Sequence, residues 1–201
     1  MRSRNGGFSL VEMAIVVVIV GLILTMVSVI GPQLIAGAQG KALLKQTTDI
    51  RTATQQFVER YKLLPGDLPV TATDFATAPT CGVAGNGDGL ISAAESACVG
   101  EHLFLAGYLT SAQLPTNNGT LRVMSNSAAQ ALYTTTVGGA PTATLPARVR
   151  NVVLIQDTPC DLALTVEQGL DDGNLATGNA VVSMSPACSG ATRVWVAVAL
   201  Q

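Results

Sequence analysis

An apolar run near the N-terminus constrains the fold of this chain more than any other feature. From Phe8 to Ile30 there are 23 residues, and Glu12 is the only charged one among them. A helix of this length reaches about 35 Å at roughly 1.5 Å per residue, which is enough to cross the hydrocarbon core of a bilayer. Because Arg2 and Arg4 precede the run, the positive-inside rule predicts a cytoplasmic N-terminus and a chain that otherwise lies outside.

The chain has 201 residues, so the part that follows this run fits one modest domain. Its formal charge of −2 argues against a nucleic-acid surface, which needs clustered lysine and arginine. No nucleophile-elbow serine or phosphate-binding loop is present, so we do not expect an enzyme. The single histidine, His102, is interpreted as a structural residue bonded to a partner.

Four cysteines bear on the compartment of the chain. None forms a C-x-x-C pair and His102 is not spaced as a fellow ligand, so a zinc site is not expected. An even cysteine count predicts disulfides in an oxidising compartment, with buried free thiols as the alternative. Of the three pairings that four cysteines allow, we favour Cys81 with Cys98 and Cys160 with Cys188, because each pair brackets a loop-rich segment.

The apolar run has two ordinary explanations. A secretory signal is one of them, because Ala36-Gly37-Ala38 is an A-x-A pattern downstream of the run. A plain membrane anchor is the other, with Glu12 snorkelling towards the headgroups. Neither explains why the glycines and Phe8 stand where they do.

The residues around Glu12 carry a resemblance to a known family. Gly6-Gly7-Phe8-Ser9-Leu10-Val11-Glu12, followed by the apolar run, resembles the processing site of type IV pilins and the pseudopilins of type II secretion. The resemblance implies that a prepilin peptidase removes a leader of residues 1–7 by cutting between Gly7 and Phe8. It also implies N-methylation of Phe8 and makes Glu12 the fifth residue of the mature protein.

The resemblance gives Glu12 a role that its chemistry supports. A carboxylate in a membrane-spanning segment is costly when unpaired, and cutting before Phe8 exposes a cationic amine. The resemblance implies that Glu12 meets this amine of a neighbouring subunit inside a filament core, so that Phe8 and Glu12 form a docking site between subunits. The implied partners are other pilin subunits, the prepilin peptidase and methyltransferase, the inner-membrane assembly machinery and the membrane itself. The precursor is expected in the inner membrane with its head in the periplasm, and the filament at the cell surface.

Two other functions remain open from the sequence. The closest is a pseudopilin of a type II secretion system, because the processing site is common to both classes. The other is a membrane-tethered binding module, because a tethered protein would share the hydrophobic helix. Our leading interpretation is a structural subunit, major or minor, of a type IV pilus-like filament.

The expected fold is α+β and pilin-like, with a long N-terminal helix packed against an antiparallel sheet in a globular domain with two disulfides. We expect a membrane or filament-core helix over 8–31, an amphipathic continuation over 32–66 and a globular head over 67–201. Pro32 should kink or break the helix. Leu43, Ile50, Phe57 and Leu64 recur at intervals of seven and predict the packing face of the continuation, which should end near residues 64–66.

The glycine-rich stretch between the first two cysteines has two interpretations. Against an EF-hand loop, Asn86, Asp88 and Glu95 match ligand positions three, five and twelve, but position one would be Ala84. We therefore favour a turn-rich disulfide loop, with calcium binding at these three residues as the alternative. No other cofactor is expected.

The rest of the head predicts a mixture of strands and short helices. Residues 101–109 predict a short helix that faces the core, and Thr158 and Pro159 are placed as the cap and first position of another. Asp171 and Asp172 end that helix and are interpreted as turn residues. Strands are expected over 120–125, 131–137, 179–184 and 192–200, while 148–155 could be a strand or a buried helix.

Overall fold

The computed structural model describes residues 9–69, 75, 77–115, 119–183, 188 and 192–200. The chain forms two compact units, Met1–Ala38 and Gln39–Gln201. The four helices and four strands of the described residues occur in the order α1, α2, β1, α3, β2, α4, β3, β4, and a 3₁₀ turn at Glu95–Ala97 precedes α2. The fold is therefore α+β, as predicted.

Helix α1 spans Leu10–Tyr61 and accounts for 52 residues. The expected break at Pro32 is not observed, because α1 continues through this position. A proline inside a helix removes one backbone hydrogen bond and costs about 3 kcal/mol, but it does not end the helix here. The helix ends slightly before residues 64–66, since Lys62 adopts a left-handed conformation with φ of 61° and donates its N–H to the Val58 carbonyl oxygen at 2.8 Å.

The C-terminal half of α1 supplies a packing face to the core of the second unit. Leu43, Ile50 and Phe57 are buried at the predicted spacing of seven, and Leu64 is partly buried. Phe57 also packs against the rings of Tyr61 and Tyr108, with centroids 4.4 and 6.4 Å away. The predicted amphipathic face is confirmed.

Within the described ranges, the sheet has four antiparallel strands in the order β1-β2-β4-β3. Their bounds are Thr120–Ser125, Asn151–Pro159, Ala180–Val182 and Arg193–Ala199 for β1 to β4. The central strand β2 is buried from Asn151 to Ile155, which resolves the open choice for 148–155 in favour of a strand. A bulge between Ile155 and Thr158 places Asp157 at a φ of 55°.

Three shorter helices complete the described fold: α2 at Val99–Leu105, α3 at Asn126–Val137 and α4 at Cys160–Leu170. Helix α2 confirms the short helix expected over 101–109, two residues earlier than predicted. The strand expected over 131–137 is wrong, because these residues belong to α3. Ser125 caps α3 by accepting the Ala128 N–H at 3.3 Å, and Gly138 ends it in the left-handed conformation.

The predicted start of α4 is also corrected. Strand β2 continues through Thr158 and Pro159, so the helix starts at Cys160. Pro159 occupies the capping position and no side-chain cap is made there. The predicted end is confirmed, because α4 stops at Leu170 and Asp171 follows in an extended conformation.

Both predicted disulfides are present. Cys81 pairs with Cys98 and Cys160 pairs with Cys188, at sequence separations of 17 and 28 residues. The second disulfide joins the first residue of α4 to the segment between β3 and β4. The even cysteine count therefore predicted the disulfides, and the loop-rich segments that the cysteines bracket predicted their pairing.

Candidate assembly site

The N-terminal part of α1 is an apolar rod with no buried face. Residues Leu10–Ser28 form a 19-residue stretch that is long and apolar enough to cross a membrane by length and composition. Its large apolar side chains are between 47% and 86% exposed. A helix that is apolar all round requires a membrane or an apolar partner.

Polar groups within this stretch are satisfied by the helix itself, apart from Glu12. The hydroxyl groups of Thr25 and Ser28 donate to the carbonyl oxygens of Gly21 and Leu24, each at 2.8 Å. Such bonds to the carbonyl four residues earlier remove the need for an external partner in an apolar medium.

Glu12 is exposed and lies in the first turn of α1. A carboxylate at this end of a helix is favoured by the helix dipole. Gly7 and Phe8, the predicted cleavage and methylation residues, lie outside the described residues. The predicted pairing of Glu12 with the amine of Phe8 in another subunit therefore stays a prediction.

In the head, His102 and the first disulfide form a structural cluster. The Nδ1 atom of buried His102 accepts the Gly66 N–H at 2.9 Å, and its Nε2 atom lies 3.9 Å from Cys81 Sγ. The sulfurs of Cys81 and Cys98 lie near this ring, but they are bonded to each other and are not thiolate ligands. The interpretation of His102 as a partner-bonded structural residue is consistent with these contacts.

The pKa values of this cluster follow from its surroundings. Burial lowers the pKa of His102, and the neighbouring Glu101 carboxylate opposes that effect only in part. Burial tends to raise the pKa of Glu101, but hydrogen bonds from Thr80 hold it below its ordinary value. The N–H and the hydroxyl of Thr80 both donate to Glu101 Oε1 at 2.7 Å.

The glycine-rich loop is organised by a residue that the sequence did not single out. Asp67 is 0% exposed, and its Oδ1 accepts the N–H groups of Asn86 and Gly87 at 3.2 and 2.7 Å. Its Oδ2 accepts the Gly89 N–H at 2.8 Å. Asp67 follows Leu64-Pro65-Gly66, and no periodicity marks its partners, which lie about twenty residues further on.

The three predicted calcium ligands take part in local hydrogen bonds. Asn86 Oδ1 accepts the Asp88 N–H at 2.9 Å, and Asp88 Oδ1 accepts the Leu90 N–H at 2.7 Å. Glu95 Oε2 accepts the Ser92 N–H at 2.7 Å, while Ser92 Oγ accepts the Glu95 N–H at 3.3 Å, a reciprocal capping box. Calcium binding by Asn86, Asp88 and Glu95 stays a prediction beside these turn-forming roles.

Comparison with known proteins bears on the N-terminal segment. No curated protein sequence and no solved structure matches the chain significantly. Residues 2–28 match the family model described as "Prokaryotic N-terminal methylation motif", a span that includes Gly7, Phe8 and Glu12. The motif marks a structural class of proteins rather than an enzymatic one, and with the apolar helix it is consistent with a membrane-anchored precursor. The chain carries the signature of the type IV pilin and pseudopilin class.

Proposed function

We propose that this chain is a structural subunit of a bacterial type IV pilus-like filament, polymerised through the apolar part of α1. The observation that carries the proposal is the methylation motif at residues 2–28, continuous with a helix whose apolar side chains are exposed on every side. Before assembly, lipid would cover these side chains. After assembly, the same helices of neighbouring subunits would cover them.

The position of Glu12 supports a pairing between subunits. Its carboxylate is the only charge in the apolar stretch, and cleavage before Phe8 would create one positive amine per subunit. Inside a bundle of apolar helices, an unpaired buried charge costs several kcal/mol, whereas a paired one is tolerated. Correct axial register between helices would satisfy every Glu12 with an amine of another copy, and any other register would leave both charges unpaired.

The proposal places the chain in a defined order of steps. The precursor spans the inner membrane with residues 39–201 in the periplasm, where both disulfides can form. A prepilin peptidase removes residues 1–7 and the new N-terminus is methylated. The inner-membrane assembly machinery then adds the subunit to a filament of identical or related subunits, which extends to the cell surface.

Mass spectrometry of the mature N-terminus tests the processing step. We expect a first residue of N-methylated Phe8 in wild-type cells and an intact leader in cells without the prepilin peptidase. Gln39 as the first residue would instead mean ordinary signal cleavage, and it would overturn the proposal.

A Glu12→Gln variant tests assembly separately from insertion, because glutamine keeps the size of the side chain and removes its charge. We expect normal insertion and leader removal, with filament yield reduced at least tenfold, since each subunit loses its charge pair. Thr25→Ala is the matched control in the same helix, because its hydroxyl is satisfied internally. Wild-type filament yield from Glu12→Gln would remove the docking role.

Deletion of the gene distinguishes a pilus subunit from a pseudopilin. If the chain is a pilus subunit, the deletion should remove the long surface fibres seen by electron microscopy and leave the secretion of exoproteins intact. Retained fibres together with accumulation of exoproteins in the periplasm would assign the chain to type II secretion.

A further inference from the structure

The end of α4 and the turn after it hold a group of carboxylates that has no role in the assembly described above. Carboxylate oxygens of Glu167, Asp171 and Asp172 all lie within 4.8 Å of one another. The three residues differ in exposure, since Glu167 is buried, Asp171 is partly exposed and Asp172 is exposed. The group therefore runs from the protein interior to the surface.

Glu167 is the unusual member of this group. It is 0% exposed, and neither of its carboxylate oxygens has a hydrogen-bond partner. The N–H groups of Gly173 and Asn174 lie near the carboxylate, yet neither meets the geometry of a hydrogen bond with it. A buried carboxylate without a partner is strongly destabilising unless a counter-charge is supplied.

No basic side chain in the part of the chain that the structure describes supplies that counter-charge. The ion pairs within the described residues are Lys45 with Asp49 and Arg193 with Asp157, and neither touches the acidic group. The residues of the 39–201 unit that lie outside the described ranges include no lysine, arginine or histidine. The described residues therefore leave Glu167 to be neutralised either by a bound cation or by a proton.

The turn that carries the two aspartates is held in place by its own hydrogen bonds. Asp171 Oδ2 accepts the N–H groups of Asn179 and Ala180, and Asp172 Oδ1 accepts the Asn174 N–H at 2.9 Å. A Cβ atom at Gly178 would collide with the Asp171 carboxylate, so this close approach requires glycine. Each aspartate keeps one oxygen that accepts no backbone hydrogen bond among those described, and Glu167 keeps two.

We propose that Glu167, Asp171 and Asp172 bind a calcium ion that links α4 to the turn before β3. The donor set consists of carboxylate oxygens, which suits a hard cation, whereas zinc prefers nitrogen and sulfur ligands. Calcium takes 6–8 oxygen ligands in flexible geometry, so carbonyl oxygens of the turn and water can complete the shell. Magnesium demands a tighter octahedral arrangement, which a turn with one exposed aspartate fits less well. The site goes beyond the proposed function and does not depend on it.

Titration of the calcium-depleted full-length chain in detergent micelles tests the site. Calorimetry with calcium chloride is expected to give one site with a dissociation constant of about 0.1–1 mM, the range of extracellular calcium modules. At a tenfold excess of calcium over that constant, the folding equilibrium shifts about elevenfold, which raises the Tm by about 3–6 °C. Magnesium chloride at the same concentration should give a smaller Tm rise.

Three variants locate the ion. Asp172→Asn retains an oxygen for the Asn174 N–H, so it should fold normally and bind calcium at least tenfold more weakly. Glu167→Gln removes the buried charge, so its Tm without calcium should equal or exceed that of the wild type while the calcium-induced rise is lost. Asp88→Asn is the control in the glycine-rich loop and should leave the calcium response unchanged.

Several outcomes would overturn the proposal. The absence of both heat and a Tm shift in the wild type would mean that Glu167 is neutralised by a proton alone. Loss of binding in Asp88→Asn, with binding retained in Glu167→Gln and Asp172→Asn, would move the ion to the glycine-rich loop. A larger response to magnesium than to calcium would reject the assigned cation.

Discussion

Asp67 shows how a single buried side chain can organise a long segment without regular secondary structure. It accepts three backbone N–H groups from the glycine-rich loop, and glycine at positions 87 and 89 permits the positive φ angles of 74° and 77° that bring the loop to it. The loop also carries Cys81 at its start, so its placement affects where the first disulfide forms. Asp67 is therefore an anchor for the region that the sequence marked only as glycine-rich.

Replacement of Asp67 by asparagine should strongly destabilise the protein, although the two side chains are nearly the same size. The amide group would place N–H donors against backbone N–H donors, and at least one buried donor would lose its acceptor. We expect the free energy of unfolding to fall by about 2–4 kcal/mol, measured by urea unfolding with Trp195 fluorescence. Asp49→Asn, in the exposed pair with Lys45, is the matched control and should change it by no more than about 0.5 kcal/mol. Equal effects of the two variants would contradict the anchoring role.

His102 should give the head a dependence of stability on pH. Its ordinary pKa is 6.5, and burial lowers the pKa below this value in the folded state. The unfolded state therefore binds the proton more tightly. The contribution of the neutral ring is therefore complete above 6.5 and is lost as the pH falls from there towards the folded-state pKa. The Gly66 N–H also needs the unprotonated Nδ1 as its acceptor.

Comparison with His102→Gln isolates this effect, because glutamine can accept the Gly66 N–H and does not titrate in this range. We expect wild type to lose stability relative to the variant as the pH is lowered from about 7.5 to 5.5, measured by urea unfolding. Glu167 has a raised pKa and contributes with the opposite sign, but it is present in both proteins and cancels in the difference. Parallel stability curves for the two proteins would show that His102 does not titrate as described.

At the scale of helices and strands, the spacing of apolar residues correctly predicted which face of α1 is buried. Leu43, Ile50 and Phe57 marked a packing face because a helix repeats about every 3.6 residues, and this face is buried as expected. The strand expected over 131–137 failed because the run Thr134 to Val137 is β-branched, a local preference that the caps of α3 override. Ser125 and Gly138 were visible in the sequence as cap residues and would have corrected the assignment.

Glu167 was missed for a related reason. The apolar side of α4 was identified from Ala163, Val166 and Leu170, and Glu167 lies four residues after the first of these and three before the last. Its place on the same side was readable from helical spacing. What spacing could not show is that Asp171 and Asp172 turn back towards it, because that depends on the glycine at 178 and the strand that follows.

The two disulfides should contribute unequally to the stability of the head. In the chain-entropy model their separations of 17 and 28 residues correspond to about 3.1 and about 3.6 kcal/mol. The double variants Cys81→Ala/Cys98→Ala and Cys160→Ala/Cys188→Ala should lose about these amounts in urea unfolding, the second somewhat more. A loss below about 1 kcal/mol in either variant would mean that its loop is already constrained in the unfolded chain.

At the scale of the whole molecule, the two compact units differ in how far their apolar side chains are exposed. The first exposes large apolar side chains, whereas the second has its own core and two disulfides. The residues that begin the second unit are helical and lie in α1, so the same helix serves both units. The fall in hydrophobicity after the apolar run predicts a related division, with boundaries after residues 31 and 66, whereas the compact units divide after Ala38. The division of roles between them stays a prediction.

Because the second compact unit begins at Gln39, truncation at this residue and truncation at residue 67 should have different effects. A chain of residues 39–201 retains Leu43, Ile50 and Phe57, whereas a chain of residues 67–201 lacks them. Burial of three such side chains stabilises by about 5–9 kcal/mol, which is comparable with the total stability of a typical domain. We therefore expect 39–201 to unfold cooperatively as a soluble monomer and 67–201 to lack fixed tertiary structure, measured by the near-ultraviolet circular dichroism of Trp195.

Addition of a synthetic peptide of residues 39–66 to the shorter chain tests whether the helix completes the core. If it does, the peptide should act without being covalently joined to the rest of the chain. The peptide should restore the near-ultraviolet signal, because Phe57 packs among rings that the shorter chain still contains, Tyr108 and His102. A Phe57→Ala peptide should restore much less, since this truncation costs about 3–5 kcal/mol in a buried site. If 67–201 instead unfolded cooperatively at the same Tm as 39–201, the C-terminal half of α1 would be only a stalk, and the head would fold without it.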